Sequence, residues 1–326
     1  MTLSAVSSDV FLYITSFLSD QPSIRLISTT KPFYALRSHY ALKSMIQAHH
    51  LRFVQFRVVR VLLISSYSRP LPDSVKEVCY DYFDRKLLHL DRLPKSVETL
   101  AFGHYYNERF GRDSLPVSIT TLFLGESFDQ PLEEGDLPRN LTSLKFGSDF
   151  NHRLQGRALP ATITELEFGF NFNQSLSAIV FPEVLASLRF GFVFNQPLLD
   201  HQLPNSLTRL TFGYKFNCPL NELILPRSLR ELTLGQLFNQ PFSERTLPKS
   251  LTHLTLGRSF QHYLAPNILP LSLTQLTFDY TFSFNVDSAQ IDTSNRWLAR
   301  TQTSLSTEPF SYLIIEWPDD NFNGYV

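Results

Sequence analysis

Residues 203–222 read LPNSLTRLTFGYKFNCPLNE, and close variants of this string recur along most of the chain. Each copy opens on a Leu-Pro or Phe-Pro dipeptide, and these dipeptides are spaced 22 residues apart without an insertion or deletion. They begin at Leu71, Leu93, Leu115, Leu137, Leu159, Phe181, Leu203, Leu225, Leu247 and Leu269. A period of this length is typical of a solenoid, whose units bury their apolar faces only by stacking on one another. The sequence therefore predicts a mostly β solenoid of about ten coils.

Within one coil, Leu207, Leu210 and Phe212 have the spacing of the short strand in a leucine-rich-repeat coil. Alternation along a strand then places Leu210 and Phe212 on the same face. Gly213 follows, and seven other coils carry a glycine in the same register, which indicates either a positive φ or a close approach between coils. Pro219 in the return segment has no N–H to donate, so this side is expected to be extended rather than helical. Coils of similar thickness on both sides predict shallow curvature.

A Phe-Asn pair follows the glycine in most coils, as at Phe216 and Asn217. The phenylalanines of this register are Phe128, Phe150, Phe172, Phe194, Phe216, Phe238, Phe260 and Phe282. The asparagines are Asn107, Asn151, Asn173, Asn195, Asn217 and Asn239, with Asp129 and Gln261 as variants. Stacked in register, the rings predict an aromatic spine, and the amides predict a ladder that satisfies backbone groups where the chain turns.

Composition narrows the function classes. The formal net charge is −1 and no block of Lys or Arg occurs, which argues against a nucleic-acid or membrane surface. Cys79 and Cys218 lie far apart, which is typical of a reducing compartment rather than of a disulfide framework. The sequence shows no signal-peptide pattern and no apolar stretch near the ~20 residues that span a bilayer. These features predict an intracellular, cytoplasmic protein.

Catalytic motifs are missing from the sequence. His49 and His50 form its only histidine pair, without the spacing of metal ligands around them, and no HExxH, GxSxG, Walker or GxGxxG string occurs. Asp319 and Asp320 stand in an acidic tail, where paired carboxylates are usually solvated. We therefore expect a non-catalytic protein with no cofactor and no metal site.

The N-terminal residues have the spacing of helices rather than of coils. Five apolar residues recur on one face of a first helix: Val10, Phe11, Ile14, Phe17 and Leu18. A second short helix is expected from Pro22, carrying Ile24 and Leu26, and a third from Pro32, carrying Leu42. Three helices within about 40 residues cannot bury much surface alone, so they need a partner or the end of the solenoid.

Two stretches resemble known families. The string FNQPL at 194–198, with the flanking LPxSLTxLxFG pattern, resembles the FNIP repeat over residues 71–285 or so. The strings VSSDVF at 6–11 and ITSFL at 14–18 resemble the opening of an F-box. An F-box implies a Skp-family adaptor and a cullin complex as partners, with contacts from Val10, Phe11, Ile14, Phe17, Leu18, Ile24 and Leu26. The alternative is that these helices only cover the apolar end of the solenoid.

The chain accordingly divides into four parts. Residues 1–48 are expected to form an F-box-like three-helix domain, 49–70 a connecting and capping strand, 71–290 a solenoid of FNIP coils, and 291–326 a C-terminal cap and tail. The run FVQFRVVRVLLI at 53–64 predicts a strand over the first coil. The run LIIEW at 313–317 predicts a strand that closes the other end.

The resemblance implies a substrate-recognition subunit of a cullin-type (SCF) ubiquitin ligase, in which the solenoid binds an unidentified target protein. The alternative is an interaction scaffold without a role in ubiquitination. Target contacts are expected where the coils differ, on the outward positions six and eight residues after each Leu-Pro leucine. The candidates are Phe123, Lys145, Glu165, Glu167, Arg189 and Arg209. The alternating charges of Lys145, Glu167 and Arg189 equally fit a cross-strand charge ladder that keeps the sheet soluble.

Overall fold

A computed structural model describes residues 41–42, 46–47, 57–58, 60–63, 71–80, 90, 93–264, 267–280 and 311–316. Its strands are short because only a few residues of each coil lie in the sheet. They are β1 Ala41–Leu42, β2 Ile46–Gln47, β3 Arg57–Val58, β4 Arg60–Leu63, β5 Glu77–Tyr80, β6 Thr99–Ala101, β7 Thr121–Phe123, β8 Ser143–Lys145, β9 Glu165–Glu167, β10 Ser187–Arg189, β11 Arg209–Thr211, β12 Glu231–Thr233, β13 His253–Leu256, β14 Gln275–Tyr280 and β15 Ser311–Glu316.

One long parallel sheet organises the protein. Strands β4 to β14 lie side by side in chain order, so that Leu188 pairs with Leu210 and Leu210 with Leu232, each 22 residues apart. The ten strands from β5 to β14 enclose nine turns of a parallel β solenoid. The 22-residue period is therefore confirmed as the length of one turn.

Both ends of the sheet carry extra strands. At the N-terminal end β4 pairs in parallel with β5, and β2 pairs with β4. At the C-terminal end β15 runs antiparallel to β14 and closes the sheet. The strands expected within 53–64 and 313–317 are thus present at the two ends where they were predicted.

The N-terminal three-helix expectation is only partly within the described residues. The predicted adaptor contacts between Val10 and Leu26 lie outside them. Leu42, expected on the third helix, lies instead in β1, which pairs with β3. An exposed strand edge offers unpaired N–H and C=O groups, and a passing segment of two residues satisfies some of them. The helical assignment of this position is wrong for that reason.

The core consists of aligned columns of apolar side chains of the same or similar type. Leu210 and Phe212 are both buried on the inner side of the strand, as alternation predicts. Phe172, Phe194 and Phe216 form the expected aromatic spine, each at most 1% exposed. Their ring centroids are 6.1 and 6.2 Å apart in near-parallel planes.

Ring spacing also reports the curvature of the solenoid. Strands in a sheet lie about 4.7–4.9 Å apart. The Phe168, Phe190 and Phe212 rings, just after the strands, are 5.6 and 5.5 Å apart, and the spine rings further back are about 6 Å apart. Because the spacing widens away from the sheet, the solenoid curves with its strands on the inner side. Coils of equal thickness would not have produced this gradient.

The register glycines are explained by close approach between coils. A Cβ at Gly169, Gly191 or Gly213 would lie 1.7 Å from the carbonyl oxygen of the equivalent glycine in the preceding coil. Among the described residues, the glycines with positive φ are Gly135 and Gly156, and neither is in this register. Of the two explanations open from sequence, the positive φ is wrong and the close approach is right.

Side chains also form hydrogen-bonded ladders along the stack. Asn195 Oδ1 accepts the backbone N–H of Asn217 at 2.9 Å, and Asn173 Oδ1 accepts that of Asn195 at 2.9 Å. This confirms the predicted asparagine ladder. A second ladder was not anticipated: the Ser206 hydroxyl donates to the carbonyl of Leu185 in the preceding coil at 2.7 Å, and other coils repeat this bond. Each coil is thereby fixed in register with its neighbour.

Candidate protein-binding surface

The outward side chains of the strands form one continuous surface on the concave side, here called the open face. In each strand a buried leucine separates two outward residues, as Leu122 separates Thr121 from Phe123. The open face of β7 to β13 consists of Thr121, Phe123, Ser143, Lys145, Glu165, Glu167, Ser187, Arg189, Arg209, Thr211, Glu231, Thr233, His253 and Thr255. All six target-binding candidates belong to it, so the structure brings them together.

An exposed aromatic ring marks the N-terminal part of the open face. Phe123 is 40% exposed, although it follows the fully buried Leu122. Its register partner on the next strand is Lys145. A large apolar side chain held on a rigid strand and surrounded by polar neighbours has the properties of an interface hot spot.

The charged candidates divide into paired and unpaired residues. Lys145 Nζ lies 3.0 Å from Glu167 Oε1 on the neighbouring strand, and the Ser143 hydroxyl donates to Glu165 at 3.3 Å. Arg189 is exposed and, among the described residues, has no ion-pair partner. The charge-ladder explanation therefore accounts for Lys145 and Glu167 but leaves Arg189 available. Because the Lys145–Glu167 pair is solvent-exposed, it contributes only ~0–1 kcal/mol to stability.

Sequence reasoning missed a second exposed feature beside the open face. Phe170, Phe192 and Tyr214 occupy the position after the register glycine in three consecutive coils. Their ring centroids are 4.6 Å apart, with interplanar angles of 6° and 8°. We call these three residues the aromatic column. Its sequence signal was a run of rings at a position that other coils fill with polar residues, such as Ser148 and Gln236.

A groove of about 490 Å³ runs between the aromatic column and the open face. Its lining includes Lys145, Glu167 and Arg189 from the strands, the three rings, and the register glycines that lie between these two rows in each coil. The walls are therefore mixed: charged and hydroxyl groups lie beside aromatic carbon. An elongated groove with such walls suits a chain-like ligand better than a compact small molecule.

Among the described residues, two groups have a clearly shifted pKa, and burial is the main cause in both. Burial, with a smaller contribution from Glu108, raises the pKa of the Tyr106 hydroxyl, which lies among the spine rings. Burial also raises the pKa of the Cys218 thiol, which disfavours a reactive thiolate. Within the part of the chain that the structure describes, no group of His, Cys, Asp and Glu is placed to hold a metal ion. No helix there has the length and hydrophobicity to cross a membrane.

Comparison with known proteins agrees with the coil-by-coil geometry. The FNIP Repeat family matches residues 83–127, 128–171, 150–192, 194–237 and 238–281, which together make up more than half of the chain. The chain belongs to the FNIP-repeat family. In this FNIP-repeat protein, the phenylalanine of the Phe-Asn pair is the buried spine ring of its coil, and the asparagine is that coil's member of the asparagine ladder. A search of curated protein sequences finds no match.

Two solved structures resemble the FNIP solenoid. CroV588, described as a novel circular leucine-rich-repeat protein, is 37% identical with a TM-score of 0.58. The match covers 68% of this chain but only 36% of CroV588. An internalin, InlF from Listeria monocytogenes, is 12% identical with a TM-score of 0.43, over 70% of this chain and 75% of its own. The CroV588 match supports a leucine-rich-repeat-like fold.

Proposed function

We propose that this FNIP-repeat protein is a non-catalytic, cytoplasmic substrate-recognition subunit of a cullin-type ubiquitin ligase. The open face binds a target protein, and residues 1–48 bind a Skp-family adaptor. The single structural observation that carries the proposal is the division of each coil into a buried part and an outward part. Buried columns repeat the same residue types, whereas the outward positions change from coil to coil.

The target-binding half of the proposal follows from that division. Phe194 is buried between the equivalent rings Phe172 and Phe216 of the adjoining coils, so stacking geometry restricts this column. Within the part of the chain that the structure describes, the side chains of Phe123, Arg189 and Arg209 are exposed and make no ring contact or ion pair, so they are free to serve recognition. A concave sheet of short parallel strands holds such side chains on a rigid surface, which lowers the entropy lost on binding.

The adaptor-binding half rests on the N-terminal sequence resemblance. Phe11, Phe17 and Ile24 supply apolar anchors in a segment too short to bury them by itself. The chain then continues into the N-terminal edge of the sheet through β2. A target on the open face would thus be tethered near the ubiquitin-loaded machinery, which raises its effective concentration without any catalytic residue from this chain.

Adaptor binding gives the sharpest test of this function. We expect recombinant Skp-family adaptor to be captured by the full chain, and the double substitution Phe17→Ala and Ile24→Ala to abolish that capture. The reason is that the apolar anchors of an interface carry most of its binding energy. Phe123→Ala, on the open face, should leave adaptor capture unchanged and serves as the control. A double variant that binds adaptor as tightly as the wild type would remove the F-box assignment.

The second candidate function is an interaction scaffold without a role in ubiquitination. It is favoured by one observation: β1 and β2 lie within residues 1–48 and pair with β3 and β4, as an end cap would. On this hypothesis, the full chain captures no adaptor, and the open face still binds its partner. The adaptor experiment therefore separates the two candidates.

A further inference from the structure

The aromatic column is not required by the stacking of coils. The position after the register glycine accepts Ser148 and Gln236 in neighbouring coils, so the backbone makes no demand for a ring there. Phe170 nevertheless places a ring at this position that is 47% exposed. Three consecutive exposed or half-buried aromatic side chains next to a groove are typical of an interaction site, and the stacking of the coils does not explain them.

The geometry of the column restricts the ligand. The ring centroids are 4.6 Å apart and the planes are nearly parallel, so the faces of neighbouring rings cover one another. Mainly the ring edges are therefore exposed to the groove. Ring edges carry partial positive charge and favour carbonyl or carboxylate oxygens. A row of sugars or nucleobases stacking face-on along the column does not fit this arrangement, because the faces are already occupied.

The two ends of the column differ in what lies beside the outer ring. The outer face of Phe170 is turned toward the coil of Ser148, whose short side chain donates instead to the Glu126 carboxylate. At the other end, the Arg258 guanidinium lies 5.6 Å from the Tyr214 ring centroid and donates to the Tyr214 hydroxyl. An arginine therefore already lies beside the ring at the Tyr214 end. At the other end, the exposed Phe170 ring can accept one flat side chain of a ligand.

The charged residues of the strands that line the groove further restrict the ligand. Lys145 and Glu167 neutralise each other at 3.0 Å. Arg189, the next residue of this row, lacks an ion-pair partner in the described part of the chain and lines the same groove as Phe170. A ligand that places a carboxylate near Arg189 gains a charge-assisted hydrogen bond at the edge of the aromatic wall.

We propose that this groove binds an extended acidic peptide segment of a partner protein. A proline or aromatic side chain of the segment packs against the outer side of the Phe170 ring, and an Asp or Glu side chain pairs with Arg189. The groove lining runs from Glu126 to Thr255 across seven coils, a length of roughly 29 Å that an extended segment of about nine residues spans. This inference rests on the proposed function, because the segment belongs to the target that the open face recognises.

The test uses the full chain and a phage-displayed library of random peptides of about nine residues, the length that the groove accommodates. Selected peptides are expected to combine Asp or Glu with a nearby proline or aromatic residue. Fluorescence anisotropy of a selected, labelled peptide then measures affinity. Phe170→Ser, which copies the side chain of Ser148, and Arg189→Glu should each weaken binding at least about tenfold.

Two matched variants serve as controls. Tyr263→Ser removes an aromatic ring of similar exposure outside the groove, and Arg227→Glu reverses an exposed charge outside it. Both should bind the selected peptide as the wild type does, and circular dichroism should show an unchanged fold for all four variants.

Three results of the peptide experiments would overturn the inference. They are a library that yields no binder, selected peptides without the acidic and ring-bearing composition, and peptide binding that does not depend on Phe170. Concentration-dependent self-association that is lost in Phe170→Ser would also overturn it, since the occupant would then be a second copy. Adaptor capture is measured in a separate experiment. A negative result for peptide binding in the groove therefore does not decide whether the protein acts in a ubiquitin ligase.

Discussion

Phe194→Ala is expected to lower the free energy of unfolding by about 3–5 kcal/mol, the range for removing a buried aromatic ring. The Phe194 ring is fully buried, with the Phe190 ring centroid 3.9 Å away and those of Phe172 and Phe216 at 6.1 and 6.2 Å. The cavity cannot easily collapse, because each neighbouring ring is held by its own coil. Urea denaturation followed by circular dichroism measures the effect.

An exposed ring in the preceding coil provides the control for this substitution. Phe170→Ala removes an exposed ring of the aromatic column and should change the free energy of unfolding by no more than about 1 kcal/mol. Because a solenoid is stabilised mainly by contacts between neighbouring coils, the loss at Phe194 should also separate unfolding into two transitions. If Phe194→Ala proved no more destabilising than Phe170→Ala, the inward assignment of the spine would be wrong.

Gly191→Ala is expected to be at least as damaging as the loss of the spine ring. Its Cβ would lie 1.7 Å from the carbonyl oxygen and 2.5 Å from the carbonyl carbon of Gly169. Both obstacles are backbone atoms, so relief requires two coils to move apart and break the adjoining hydrogen bonds. We expect a loss of about 4 kcal/mol or more in the free energy of unfolding, which is exceptional for one substitution.

Gly111→Ala is the matched control, since no heavy atom lies within 4 Å of a Cβ built there. It should be nearly neutral, or slightly stabilising through reduced freedom of the unfolded chain. Thermal unfolding of both variants gives the comparison directly. Equal melting temperatures would show that the coils are not in close contact at the glycine register.

The repeat made most of the fold predictable. Phe216 and Asn217 have equivalents at the same place in most coils, and this recurrence at a fixed spacing indicates a shared structural role. Burial of Phe216 and the hydrogen bond from Asn217 N–H to Asn195 Oδ1 follow that expectation. The outward direction of Phe123 followed from strand alternation alone.

Other features depend on relations that one coil does not encode. The choice between a positive φ and a close approach at Gly191 required the position of Gly169 in the preceding coil. Curvature required the difference in spacing between columns at different depths. The aromatic column was missed because Phe170 occupies a variable position, where periodicity carries no information. Leu42 was misassigned because helical spacing in a short segment ignores pairing with a distant strand.

Partner capture by the open face tests the central claim most directly. The variant reverses three charges and removes the exposed ring, through Lys145→Glu, Glu167→Lys, Arg189→Glu and Phe123→Ala. Because Lys145 and Glu167 exchange signs, their ion pair is retained, and no buried column is touched. Proximity labelling in cells compares this variant with the wild type, with adaptor capture as the internal standard. We predict loss of the target at unchanged adaptor capture, whereas recovery of the same partners from both proteins would place recognition outside the open face.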